Sequence, residues 1–272
     1  MPSTTELSTL LQPLVGAPER AAIFLDVDGT LAPIVEQAER ARVPENTARL
    51  LGRMGRRFAI VACVSGRSAS EARRLVGVGS LAYGGYHGAE LLMPGTPRPW
   101  QLPAFERGAD RVRRFAAEQD AGSDLRLLRV RLEDKGPIVA FHWRGVPDEK
   151  AAHARIEEVA RAAEGKGLWT HWGRKVLEVR PPVEIDKGQA VRRVLDERPV
   201  RAALFAGDDR TDLDGFAALE ELREEGRLET TVRVGIVSDE GPPEIAEQAD
   251  VSIDGVTGFA EVLALLAGPA TP

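Results

Sequence analysis

The chain of 272 residues carries 36 Lys plus Arg against 42 Asp plus Glu, a formal net charge of −6, with 43% hydrophobic and 29% charged residues. That length holds one large domain or two small ones, and that composition excludes disorder, collagen and coiled coil. The acidic balance lacks the basic footprint that holds a nucleic-acid backbone, so no nucleic-acid partner is expected. Cys63 is the single cysteine, which removes an intrachain disulfide framework and Cys-based metal sites and suits a reducing cytosol. No apolar run approaches the ~20 residues of a membrane helix. Glu6 stands where a signal peptide would place Lys or Arg. A cytoplasmic protein with no membrane partner is expected.

In chain order, short β-branched apolar runs alternate with Ala/Leu/Arg/Glu-rich helical stretches, the pattern of parallel α/β units. A strand is predicted over Ala21–Asp26, a helix over Pro44–Arg57 and a strand over Phe58–Val64. Ser68-Ala69-Ser70-Glu71 reads as a capping box opening the next helix. A strand near Leu81–Tyr83 leads to the turn Gly84-Gly85-Tyr86-His87-Gly88. The middle, roughly 104–184, is predicted as an α+β insert: helix Phe105–Gln119, strands Leu125–Glu133 and Ile138–Arg144, helix Asp148–Glu164, then strands Leu168–His171 and Lys175–Arg180. Residues 129–133 and 139–144 alternate in type, as strands with one solvated or ligand-facing side do. Pro94–Pro103 and Pro181-Pro182 bound this insert. Strands Ala202–Ala206, Arg233–Val237 and Asp250–Ile253 complete one sheet with the first ones.

The strongest chemical signal is Phe24-Leu25-Asp26-Val27-Asp28-Gly29-Thr30, where an apolar strand runs into two carboxylates and a glycine turn. Ligands of open parallel sheets gather at the carboxyl ends of strands. Two carboxylates placed there repel unless a cation or a shared proton relieves them. A second apolar strand delivers Asp208, Asp209 and Asp212, and clustered oxygen ligands without His or Cys suit Mg²⁺. Lys187 follows Asp186, a helix N-cap residue type, where a lysine opposes the helix dipole unless it faces an anion. Ser65, at a strand end before a helix, offers a hydroxyl and an N–H to a phosphate. Singly, these features also read as an Asp-Gly turn, a solvated loop and a surface lysine.

Taken in order, the four segments resemble the four motifs of the haloacid dehalogenase superfamily of aspartyl-phosphate hydrolases. The resemblance implies an α/β fold, a Rossmann-like parallel-sheet core (1–103 and 185–272) with an inserted α+β cap (104–184) that reads the substrate. It implies Asp26 as nucleophile and Asp28 as general acid/base, with Thr30, Ser65 and Lys187 holding the phosphoryl group. Mg²⁺ would lie between Asp26, the Asp28 backbone carbonyl and Asp208, with Asp212, or its rival Asp209, orienting the metal's waters.

Within the superfamily the chain is most similar to the trehalose-6-phosphate phosphatases, on DVDGTLAPIV, SGR, YHGAE, the Glu133-Asp134-Lys135 and Phe141–Arg144 strands, GRKVLEVRP, DKG and GDDRTDLD. It departs at Asp214, where Glu is expected, and at Tyr86, where Leu is more usual. This resemblance implies trehalose 6-phosphate as substrate, approached by His87 and Glu90 from the core and by Glu133, Lys135, Arg144, Arg174 and Glu178 from the cap sheet. Each cap charge also reads as a solvated sheet face. Arg129, Arg131 and His153 are left as surface groups, Trp143, Trp169 and Trp172 as cap packing, and Cys63 as an inert buried thiol. Two other readings stand beside this one: another capped sugar-phosphate phosphatase, of the mannosylglycerate- or sucrose-phosphate type, and a phosphate-binding regulatory domain without turnover.

Overall fold

Twelve strands and ten helices alternate along the described residues of the computed structural model, which are 2–35, 40–122, 124–173, 175–239 and 241–269. They run α1 (Thr4–Val15), β1 (Ala21–Asp26), α2 (Glu45–Arg57), β2 (Ile60–Val64), α3 (Ala69–Val76), β3 (Ala82–Gly85), β4 (Glu90–Leu92) and β5 (Trp100–Gln101). Then come α4 (Pro103–Ala121), α5 (Asp124–Leu127), β6 (Arg131–Asp134), β7 (Val139–His142), α6 (Glu149–Gly165), β8 (Trp169–Gly173) and β9 (Val176–Arg180). The chain closes with α7 (Lys187–Glu197), β10 (Ala202–Gly207), α8 (Leu213–Glu224), β11 (Thr230–Val237), α9 (Pro243–Gln248), β12 (Val251–Asp254) and α10 (Gly255–Ala267). Contacts divide it into two units, 1–100 with 185–272, and 101–184.

The first unit is built on an eight-stranded sheet in the order β12-β11-β10-β1-β2-β3-β4-β5. From β12 to β3 every pairing is parallel, and β4 turns antiparallel to β3. All six residues of β1 are buried, as a strand covered on both faces requires. Ala21, Ile23 and Leu25 enter one core with α1, α2 and α10, while Ala22 and Phe24 enter the other with α7 and α8. Helix α1 was not expected from the sequence, although its signal is there. Ser3 and Glu6 form a capping box, and Leu7, Leu11 and Leu14 make a buried stripe.

The second unit is a four-stranded antiparallel sheet, order β6-β7-β9-β8. Val139 and Phe141 of β7 and Leu177 and Val179 of β9 share a core with Val112 and Phe115 of α4 and Ile156 and Val159 of α6. The helices therefore cover one face of this sheet. The expected strand over Leu125–Glu133 is corrected. Residues Asp124–Leu127 are helical, Arg129 is left-handed at φ 58, and the strand begins only at Arg131. Leu125 and Val130 both enter the core. In a strand, residues five apart point to opposite faces, so a helical turn closed by a left-handed residue buries both. The first residues of the expected strand Phe58–Val64 instead end α2, with the Phe58 N–H bonded to the Met54 carbonyl. Trp143 is buried against His153 and Trp172, while Trp169 and Trp172 keep 39% and 42% of their surface exposed. Cys63 is buried. Among the described residues no helix is long and apolar enough to cross a membrane.

Candidate active site

Leu25 of β1 lies opposite Ala206 on one side and Cys63 on the other. Parallel neighbours end at the same edge, so Asp26 at the end of β1 and Asp28 just past it, Ser65 after β2, and Asp208 and Asp212 after β10 are delivered together. Gly29, at φ 98, makes this possible, because a Cβ there would run into the Asp208 carboxylate. On the facing helix, Asp186 caps α7 by accepting the Gln189 N–H at 2.8 Å, which sets Lys187 in the first turn.

Asp26, Asp208 and Asp212 each offer a carboxylate oxygen within 4.8 Å of the others. Lys187, 2% exposed, donates to Asp26 Oδ1 at 2.5 Å and Asp212 Oδ1 at 2.7 Å. The other Asp212 oxygen accepts the N–H groups of Asp208 and Asp209 at 3.0 and 2.9 Å. Thr30 donates its hydroxyl to Asp208 Oδ1 at 3.0 Å. Asp26 Oδ2 is buried and has no hydrogen-bond partner.

Three carboxylates thus face one ammonium. Burial raises Asp26 well above the usual carboxylate range, Asp212 and Asp208 add to this, and Lys187 opposes it. Burial, then Asp212, pushes Asp208 up to about 7. Burial by itself would favour the neutral Lys187 amine, but Asp212 and Asp26 outweigh it and hold the proton. The fit to a hard divalent cation is good. The donors are oxygens only, the negative charge is in excess, and one buried oxygen is orphaned.

Asp28 is not in this cluster. Both its oxygens take the Arg67 guanidinium, at 2.7 Å from Nε and 2.7 Å from Nη2. Sequence reasoning missed Arg67; it stands in the SGR triplet, but nothing in a triplet names a partner 39 positions away. Ser65 is buried, with its Oγ accepting the Arg67 N–H at 3.1 Å and its carbonyl accepting the His87 N–H at 3.0 Å. His87 is left-handed at φ 57, with its ring against Gly66. Glu90 is buried, and its Oε2 accepts the Ala69 N–H at 2.9 Å in the first turn of α3. That contact is a helix-terminus anchor of the kind carboxylates favour. Asp209 is exposed and bonds within its own turn, so Asp212 is the acid nearer the cluster.

In the second unit Glu133, Ala140, Glu178 and His171 form one cross-strand row on the face away from α4 and α6. Glu133 Oε2 lies 2.7 Å from His142 Nε2, and Lys135 donates to Glu178 at 2.8 Å. The His142 hydrogen bond, against partial burial, holds the Glu133 carboxyl below its ordinary range. His142, on this face, is a second residue that the sequence did not single out. Arg144 lies beyond β7 and is exposed. Arg174 lies outside the described residues.

A trehalose-phosphatase family model matches residues 24–254. The chain belongs to the trehalose-phosphatase family. A curated trehalose-phosphate phosphatase of Mycobacterium marinum is 33% identical over 235 residues, 79% of this chain and 56% of that protein. A solved structure described as a trehalose-6-phosphate phosphatase related protein is 26% identical, with TM-score 0.69 over 89% of this chain and 95% of that one. A haloacid dehalogenase-like hydrolase from Bacteroides thetaiotaomicron shares the fold at 14% identity, with TM-score 0.61 over 89% and 98%. The chain spans about half the length of the trehalose-phosphate phosphatase it matches and 15% of another curated relative.

Proposed function

We propose that this chain is a Mg²⁺-dependent phosphatase that hydrolyses trehalose 6-phosphate to trehalose and phosphate, the last step of trehalose synthesis, in the cytoplasm. The observation that carries the reading is Asp26 Oδ2, buried and unpartnered beside Lys187 at the carboxyl end of the central strand of a trehalose-phosphatase fold. Asp26 attacks phosphorus, and the bond to the sugar oxygen breaks as a phospho-aspartate forms. Asp28 gives its proton to the leaving alkoxide, then takes one from the water that releases phosphate and restores Asp26. Arg67 occupies both Asp28 oxygens, so proton donation requires that pair to open. Thr30, Ser65 and Lys187 hold the phosphoryl oxygens. Asp26, Asp208 and the Asp28 carbonyl would hold Mg²⁺, with Asp212 beside them, and the cation would neutralise charge on the phosphoryl group. Glu133, Lys135, Glu178, Arg144 and Arg174 of the inserted unit, and His87 and Glu90 of the core, take sugar hydroxyls.

The test is phosphate release from trehalose 6-phosphate against a dozen other sugar phosphates. A clear preference in kcat/KM for trehalose 6-phosphate is expected. Comparable or higher rates on sucrose or mannosylglycerate phosphates would replace the substrate while keeping the chemistry. No turnover of any of them would leave a phosphate-binding domain.

A further inference from the structure

The end of the sheet opposite the acids also has a built feature. A cavity of about 510 Å³ lies at the amino end of β2, and all its lining residues belong to the first unit. Its volume is in the range of small-molecule sites. Ile60, Leu91 and Met93 give it an apolar floor, with Trp100 on the rim. Arg98, Arg193 and Arg198 line it as well, against the single carboxylate of Glu197. Ile60 to Ser65 is five strand steps, roughly 16 Å, and Lys187 to Arg198 is eleven helical steps, also roughly 16 Å. The cavity is therefore separate from the Asp26 cluster.

The three arginines of this cavity lack the carboxylate partners that several of their neighbours have. Arg192, one residue from Arg193, is held by Glu221 and Glu225, and Arg201, Arg210, Arg223, Arg227 and Arg233 each have a carboxylate partner. Among the described residues Arg98, Arg193 and Arg198 have none, in a chain where acids outnumber bases. Arg193 instead lies over the Trp100 indole, its Cζ 3.2 Å from a ring centroid. A guanidinium held over a ring has less ordering left to do when an anion arrives. Three guanidiniums lining one cavity can donate together to phosphate oxygens, and the floor of Ile60, Leu91 and Met93 has no use for a bare ion.

We propose that this cavity binds an organic phosphate, a phosphate monoester carrying an apolar or aromatic body, at a site distinct from the reaction centre. The phosphate lies among Arg98, Arg193 and Arg198, and the body covers the floor beside Trp100. Calorimetric titration of the full chain with adenosine 5′-monophosphate, glucose 6-phosphate, inorganic phosphate and adenosine tests it. Adenosine 5′-monophosphate is expected to bind most tightly. Its affinity should fall tenfold to a hundredfold in R193E and in R198E, the loss of about one or two charged hydrogen bonds. Melting temperature and p-nitrophenyl phosphate turnover should stay near those of the parent protein. R98E and R198E, on exposed residues, keep the test valid if R193E does not fold. Binding that survives all three variants belongs elsewhere and overturns the proposal, as does absence of binding at millimolar ligand. Inorganic phosphate binding as tightly as the nucleotide removes the role of the floor, and adenosine binding as tightly removes the role of the arginines.

Discussion

The two groups of charged side chains that this chain orders are held in opposite ways. At the end of β1, Asp26, Asp212 and Lys187 are at most 5% exposed, and the Lys187 ammonium is shared between the two carboxylates. On the open face of the inserted sheet, Lys135 and Glu178 keep 25% and 18% of their side-chain surface, and His142 and Glu133 keep 24% and 32%. In the first setting a missing partner leaves an uncompensated buried charge; in the second, water replaces it. The dry cluster is fit for chemistry that tolerates no error in position. The wet face is fit for exchanging protein partners for the hydroxyls of a ligand.

The largest expected effect is on turnover. Asp26→Asn should abolish hydrolysis of every substrate, since an amide is no nucleophile toward phosphorus, and rigorous chelation should do the same to the parent protein, with recovery on adding Mg²⁺. Asp28→Asn should spare p-nitrophenyl phosphate, whose leaving group needs no proton, more than a sugar phosphate. Steady-state rates on both substrates check this, and equal losses for Asp28→Asn would count against its acid role.

Next in size is the contribution of the dry cluster to stability. Lys187→Met, which leaves Asp26 and Asp212 facing each other, should cost about 3–5 kcal/mol in urea unfolding under chelation. Adding Asp212→Asn should recover part of it. A loss below about 1 kcal/mol would mean that water reaches the cluster and would erase the contrast with the inserted face.

On that face, Glu133→Ala or Glu178→Ala should lower kcat/KM for trehalose 6-phosphate by about one to two decades, one charged hydrogen bond each. Turnover of p-nitrophenyl phosphate should hardly change, and stability should move by less than about 1 kcal/mol. If both substrates suffer together, these residues support the fold of the unit.

The smallest effect concerns pH. His142 depresses the Glu133 carboxyl in the folded chain. Its stabilising contribution is therefore present above the unfolded value of about 4.3 and is lost as pH falls through the lower folded one. Glu133→Gln should make unfolding less sensitive to acid below about pH 4, measured by thermal melts across that window.

Much of this was legible in the residues. Two apolar strands ending in Asp-rich turns, a Ser before a capping box and a Lys after an N-cap residue place themselves, because strand ends in a parallel sheet leave few alternatives. Partnerships across the chain were not legible. Neither the Arg67 fork on Asp28 nor the Glu90 anchor under α3 has a periodicity, and both depend on which strands become neighbours. The Leu125–Glu133 segment misled because alternating Leu and Arg imitates a strand, while the demand to bury both Leu125 and Val130 came from the helices packed against it.

The order of the sheet also fixes a timetable. Ala21 pairs with Ala202, so one edge of β1 waits for a strand roughly 180 residues further along. At ribosomal speed that interval is on the order of ten to thirty seconds. The 101–184 unit, whose strands pair only among themselves, can close during the wait and shorten the loop that β10 must complete. Until then, the strand that carries Asp26 presents an open apolar edge to its surroundings. The nascent chain is most exposed to misassembly at this strand.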